Sequence, residues 1–183
     1  NVTDMRYMFY NAGAFNQTLS TWNLQNVTNV EFMLDASGID CSNYSDILNG
    51  WALNSLTPNN LFLGALWLLY TSNASNSRNN ILIGAKGWTI NGDALSPNPV
   101  ITGNSEVCVG ESITLNSTAG GSWSSSNPAI ATVNSSGVVT GVSAGNVIIS
   151  YNWTGGNGCP VVGSFNISVN PLPVMHVIKM PDI

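Results

Sequence analysis

The sequence repeats itself at its start. Asn1-Val2-Thr3-Asp4-Met5 returns 25 residues later as Asn26-Val27-Thr28-Asn29-Val30. The same shift lays Met8-Phe9 on Met33-Leu34 and Gly13-Ala14 on Gly38-Ile39. Matches that fall on apolar positions and on glycine are those a repeating structural unit must keep. A unit of this size cannot bury its own apolar face, so copies have to stack. Thr3 and Thr28 are placed to N-cap short helices. Met5, Met8 and Phe9 would then share one helical face, as would Val30, Met33 and Leu34. Trp22-Asn23-Leu24 reads as extended. The first copy should be the less covered of the two. Met5, Met8 and Phe9 are therefore expected to be more exposed than Val30, Met33 and Leu34. A chain that begins inside a repeat reads as a fragment or processed piece.

Beyond the second copy, Ser45 is placed to cap a helix carrying Ile47, Leu48 and Trp51. The run Leu61–Tyr70 suits one or two buried strands. Asn73 or Ser75 begins a further helix with Ile81, Leu82 and Ala85, ended by Gly87. Trp88-Thr89-Ile90 is a last short strand before a turn at Asn91-Gly92-Asp93. Residues 1–93 thus read as the end of a stack closed by a cap, and Ala94–Val100, with two prolines in three residues, as a stiff linker. Over 101–170 the periodicity changes to alternation: Ile113 and Leu115, then Val147, Ile149 and Tyr151, then Phe165, Ile167 and Val169. Only Ile148 breaks the pattern. Turn signals at Gly120-Gly121, Asn127-Pro128, Ser135–Gly137 and Gly155–Gly158 divide this stretch into six or seven short strands, the signature of an antiparallel β-sandwich. Residues 171–183 are a linker or the start of another module. The expected class is mixed, mainly β: a short α/β solenoid end with its cap, then a β-sandwich.

Composition narrows the function. Only 7% of the residues are charged, while 44% are hydrophobic, in a chain of net charge −5. Asn, Ser, Thr and Gly must supply solubility. No Lys or Arg occurs between Trp88 and Ile178. Nucleic acid is therefore not an expected partner, and neither is an anionic membrane surface. No apolar run reaches the length of a membrane span. The single histidine, His176, lies in the tail, which removes His-based catalytic pairs and multi-histidine metal sites from the folded body. Asp35 and Asp40 could in principle share a calcium ion, but solvated loop acids are the plainer reading. No catalytic, metal-binding or cofactor-binding residue is assigned. Nine Asn-x-Ser/Thr sequons occur, Asn1, Asn26, Asn73, Asn116 and Asn166 among them; chance and the repeat account for many. Trp22, Trp51, Trp67, Trp88 and Trp123 are expected in cores, leaving Trp153, beside a glycine-rich turn, as the candidate exposed ligand-contact aromatic.

Two resemblances sharpen this reading. Asn1–Met5, Met8-Phe9, Ala14–Gln17, Leu19-Ser20, Trp22 and Asn26–Asn29 resemble the BspA-like bacterial surface-protein repeat, of the leucine-rich type. Asn43-Tyr44, Leu48, Gly50-Trp51, Arg78 and Lys86–Ile90 resemble the piece that closes such repeats in Bacteroidetes-type surface proteins. Val109–Leu115, Trp123–Val133 and Gly137–Gly145 resemble a group 2 bacterial Ig-like domain. The resemblance implies an exported, extracellular or surface-attached modular protein of the adhesin type, non-catalytic, commonly delivered by type IX secretion. Its partners would be protein or glycan surface ligands, or neighbouring subunits of the same protein. An accessory, carbohydrate-binding region of a larger secreted enzyme is the alternative. Export makes a disulfide reasonable. Cys108 and Cys159 each stand before a long strand and are expected to pair, at a gain of roughly 4 kcal/mol; two unpaired thiols are the other reading. Cys41 is expected to be a free, buried thiol.

Overall fold

The computed structural model describes residues 2–118, 120–155 and 158–173. The fold is mainly β with few helices. The chain divides into two compact units: Asn1–Asn98 together with Thr154–Val161, and Pro99–Trp153 together with Val162–Ile183. His176 falls outside the described residues.

The first unit is built on a ladder of parallel rungs. Asp4 bridges Asn29 and Val30 bridges Leu63. Strand β1 (Phe62–Gly64) pairs in parallel with β3 (Thr89–Asn91), and β2 (Leu69–Tyr70) with β4 (Ala94–Leu95). The repeats contribute the first two rungs, and the expected helices after Thr3 and Thr28 do not form. Along the first copy, backbone N–H groups alternate in destination. Those of Met5, Tyr7, Phe9 and Asn11 donate to carbonyls of Asn29, Glu31, Met33 and Asp35 in the second copy. Those of Met8, Tyr10 and Ala12 donate three residues back, closing tight turns. A helix would consume every N–H internally and leave nothing to bind the next copy. Tyr7, Asn11, Phe32 and Ala36 all have φ near +55°, which an α-helix cannot contain. Thr28 is a stitch between copies: its N–H and its hydroxyl both donate to the Thr3 carbonyl.

Stacking fills one core. Val27, Val30, Met33, Leu34, Leu48, Trp51, Leu63, Leu82 and Trp88 are buried in it. The copies differ most clearly at two of the three positions: Met8 is 45% exposed and Phe9 half-buried, whereas Val30, Met33 and Leu34 are at 0%; Met5, at 7%, is buried in the same core.

Among the described residues one α-helix, α1 (Cys41–Leu53), packs against the ladder and buries Tyr44, Ile47, Leu48 and Trp51. Its cap is Asp40, not Ser45: the Asp40 carboxylate accepts the Asn43 N–H at 2.8 Å. Ser45 lies one turn inside the helix, where its hydroxyl donates to the Cys41 carbonyl and accepts the Thr71 N–H. The apolar stripe is visible in the sequence, but the helix starts four residues earlier than a Ser45 cap requires, with Asp40 at the chain's point of entry. The second expected helix is a short 3₁₀ turn (Ser72–Ala74) followed by a nine-residue helix of π type (Ser77–Ala85), after which Gly87 turns away at φ +69°.

The second unit holds two sheets. One has the order β5 (Glu106–Cys108), β11 (Pro160–Asn170), β10 (Gly145–Thr154), β7 (Ser122–Ser125); the other has β6 (Ser112–Thr114), β9 (Val138–Gly141), β8 (Ala131–Val133). The alternating residues Val147, Ile149, Tyr151, Ile167 and Val169 are buried, with Ile113, Phe165 and Trp123 packed at the margin. Not every pair is antiparallel: β5 and β11 run parallel, Ser168 opposite Glu106 and Asn170 opposite Cys108. The first and last strands meet only after the chain has crossed to the other sheet, and alternation within a strand carries no information about the direction of its neighbour.

Candidate binding surface

The cysteines pair differently from the sequence expectation. The disulfide joins Cys41 to Cys159, with Cα atoms 4.9 Å apart, and Cys108 is the free, half-buried thiol. The strand register explains this. Cys108 lies opposite Asn170, the last residue of β11, while Cys159 immediately precedes its first. A strand of 11 residues at ~3.3 Å per residue separates them by about 35 Å, far beyond disulfide reach. The turn between β10 and β11 belongs instead to the first compact unit, where Cys159 meets the first residue of α1.

Trp153 is half-buried and packs against the sandwich core. It stands at the end of an inward-facing alternation (147, 149, 151, 153), which its neighbouring glycines obscured. The exposed tryptophan is Trp67, at 73%, despite the expectation that it would be core. The other four behave as packing residues. Trp51 and Trp88 are buried, with indole N–H groups donating to the Leu19 and Pro58 carbonyls. Trp22 leans on Phe9, and Trp123 on Tyr151 at 4.5 Å.

Trp67 owes its exposure to a corner of the ladder. The backbone enters the left-handed region twice along each rung, at Tyr7 and Asn11, Phe32 and Ala36, Asn60 and Trp67, and Gly87 and Gly92. Backbone donors hold the corner: the Ala36 N–H bonds the Leu66 carbonyl and the Trp67 N–H the Gly92 carbonyl. At φ +70° the Trp67 side chain, with its neighbour Leu66 (40% exposed), faces outward between the buried Ala65 and Leu68. Beside it opens a cavity of about 410 Å³, lined by Ser37, Ile39, Asp40, Cys41, Trp67 and Leu68 with neighbouring backbone. Its polar side chains are acceptors: the Asp40 carboxylate, which receives Asn43 N–H and the Asn16 amide, and the Ser37 oxygen, whose hydroxyl donates to the Leu34 carbonyl.

Other exposed aromatics share this unit. Tyr7 (55%) and Phe32 (38%) stack at 5.0 Å, equivalent residues of successive copies, and Tyr10 (54%) meets Tyr7 edge-on. On the sandwich, an open groove of about 640 Å³ crosses the outer face of the four-stranded sheet, between Glu106, Ser126, Asn146, Asn166 and Ser168, with Ile148 exposed on its floor.

Asp35 and Asp40 serve the backbone: Asp35 accepts the Leu66 N–H at 2.8 Å and Asp40 caps α1. Among the described residues no three His, Cys, Asp or Glu side chains gather, and no helix is long and apolar enough to cross a membrane. A buried ionic cluster lies inside the first unit. The Asp93 carboxylate, fully buried, accepts the Arg78 guanidinium on both oxygens and the Tyr44 hydroxyl at 2.8 Å. Arg78 also lies over the Tyr70 ring, 5.2 Å from its centre. Burial, with Asp93 beside it, pushes the Tyr44 phenol well above its ordinary pKa, and the hydrogen bond to Asp93 raises that of Arg78. These groups fasten α1, the π-type helix and the last rung together.

Residues 1–66 match the family model described as a Mycoplasma protein of unknown function, DUF285. Residues 95–152 match the bacterial Ig-like domain, group 2. No curated protein matches the chain. Among solved structures, a mutant of intimin from EHEC O157:H7 is similar at 25% identity and a TM-score of 0.30, over 39% of this chain and 43% of that one. The chain thus spans less than half of that structure, and so slight a likeness bears no functional weight. The chain is thus similar to the DUF285 family over residues 1–66 and to the group 2 bacterial Ig-like domain over residues 95–152.

Proposed function

We propose that this chain is a non-catalytic segment of a large bacterial cell-surface or secreted protein, acting in adhesion or as a structural spacer. The observation that carries this reading is the direct succession of the two matched regions, a stacked repeat followed by an Ig-like module. Such modules present surface and set distance. The Cys41–Cys159 disulfide suits an oxidising, extracytoplasmic location. In its finer form the reading makes the first unit the end of a leucine-rich-type solenoid, with α1 and the π-type helix as its cap, in a protein of the Bacteroidetes surface type exported by type IX secretion. The parallel rungs, with their recurring corners, support the solenoid.

A second reading, an accessory carbohydrate-binding region of a larger secreted enzyme, is favoured by the exposed Trp67, Tyr7 and Tyr10. Beads coated with the purified chain test the first reading. They are expected to adhere to mucin, collagen or whole bacterial cells above the level of albumin-coated beads. Adhesion no greater than albumin on every surface would leave only the spacer role.

A further inference from the structure

We propose that Trp67 and the adjoining cavity form a binding site for a neutral saccharide. The inference rests on the adhesive reading and names its ligand class. Trp67 is placed against two physical preferences at once. It occupies a left-handed corner, as do Asn11, Ala36 and Gly92, which are small or polar, and Tyr7 and Phe32, which are aromatic. It also exposes most of an indole to water. Tyr7 and Phe32 share this combination but stack on each other, whereas Trp67 borders a cavity; strain and apolar exposure beside a cavity mark a ligand site.

The surroundings define the ligand. The cavity of about 410 Å³ falls within the ~300–1,000 Å³ of small-ligand sites. Its wall is apolar at Trp67, Ile39 and Leu68, and its polar side chains accept hydrogen bonds at Ser37 and Asp40. A pyranose ring matches both, its C–H face laid on the indole and its hydroxyls donating to the acceptors. Among the described residues no Lys or Arg lines the cavity, so a sulfated, phosphorylated or uronic sugar would meet only the Asp40 carboxylate. That carboxylate already accepts the Asn43 N–H and the Asn16 amide, which leaves its remaining lone pairs for ligand hydroxyls.

Calorimetry and saturation-transfer NMR on the full chain with cellotetraose, maltotetraose, laminaritetraose and chitotetraose, and with tetralysine, test this. At least one neutral tetrasaccharide should bind. Trp67→Ala should weaken it at least tenfold, while Trp153→Ala changes it less than twofold. Trp67→Phe, keeping a ring, should recover part of the loss, and the melting temperature of each variant reports its fold. Absence of neutral saccharide binding, unchanged affinity in Trp67→Ala, or loss of tetralysine binding alone would overturn the proposal. Coated beads separate the two readings. Equal adhesion of wild-type and Trp67→Ala beads, with no saccharide bound, rejects the site and keeps the adhesin. Saccharide binding at Trp67 without bead adhesion keeps the site and rejects the adhesin.

Discussion

Single residues show where this protein accepts strain and where it removes it. At Trp67 a bulky side chain holds φ +70°, a conformation costing an ordinary residue about 1–2 kcal/mol. Glycine there would relieve the strain but gain freedom in the unfolded chain. Trp67→Gly should therefore stabilise by about 0.5–1 kcal/mol, read as a raised denaturation midpoint at unchanged slope. A fall of more than about 1 kcal/mol would mean the indole contributes packing after all. Tyr44 offers a titration. Its phenol is neutral in the fold well above the pH at which a free tyrosine ionises. Above about pH 10 the unfolded chain loses this proton and the folded one keeps it, so stability falls as pH rises through that range. In Tyr44→Phe this alkaline decline should be shallower. The variant should also be less stable at pH 7 by about 1–3 kcal/mol, because Asp93 loses a hydrogen bond in a buried place. Equal alkaline slopes in the two proteins would contradict the assignment.

Elements here depend on their neighbours more than on their own propensities. The rungs have no independent reason to form: each closes only alternate hydrogen bonds locally and hands the others to the next rung. The spacing between rungs is set partly by Gly38, where a Cβ would come within 2.1 Å of the Gly13 carbonyl oxygen. Gly38→Ala must push the two copies apart and should cost about 1–3 kcal/mol. Gly13→Ala, with no atom near its missing Cβ, should be nearly neutral. Thermal melts of the pair distinguish a packing requirement from a general need for glycine. Helix α1 is anchored more firmly, by Asp40 at its start, by the Trp51 indole on the Leu19 carbonyl, and by Tyr44 on Asp93.

At the scale of the whole molecule, the covalent link is the main device. Cys41 and Cys159 close a loop of 118 residues, for which the chain-entropy model gives about 5 kcal/mol. Native strain and residual structure reduce that figure in practice. Reduction, or Cys159→Ser, is expected to lower the melting temperature by several degrees or more, and Cys108→Ser to leave it within a degree or two. Peptide mapping without reductant should recover one cross-linked peptide containing Cys41 and Cys159, with Cys108 alkylated alone. A Cys108–Cys159 peptide would refute the register given for β5 and β11.

The sequence by itself determined the local facts. The 25-residue self-match required stacked copies and the relative exposure of Met8 and Met33. Alternation over Val147–Tyr151, broken only at Ile148, and over Phe165–Val169 required half-buried strands around one core. These follow from side-chain periodicity, which is written into the order of residues. Tertiary structure decided what depends on partners distant in the chain. Met5, Met8 and Phe9 are spaced for a helix, but inter-rung hydrogen bonds claimed their backbone and turned it into corners. Which cysteines meet followed from the register of β11 on β5. Which tryptophan faces water followed from a corner conformation that a run such as Leu66-Trp67-Leu68 conceals. Periodicity reports which face a residue shares with its near neighbours. The direction of an adjacent strand, the pairing of a thiol and the sign of φ at a corner are set by contacts across tens of residues.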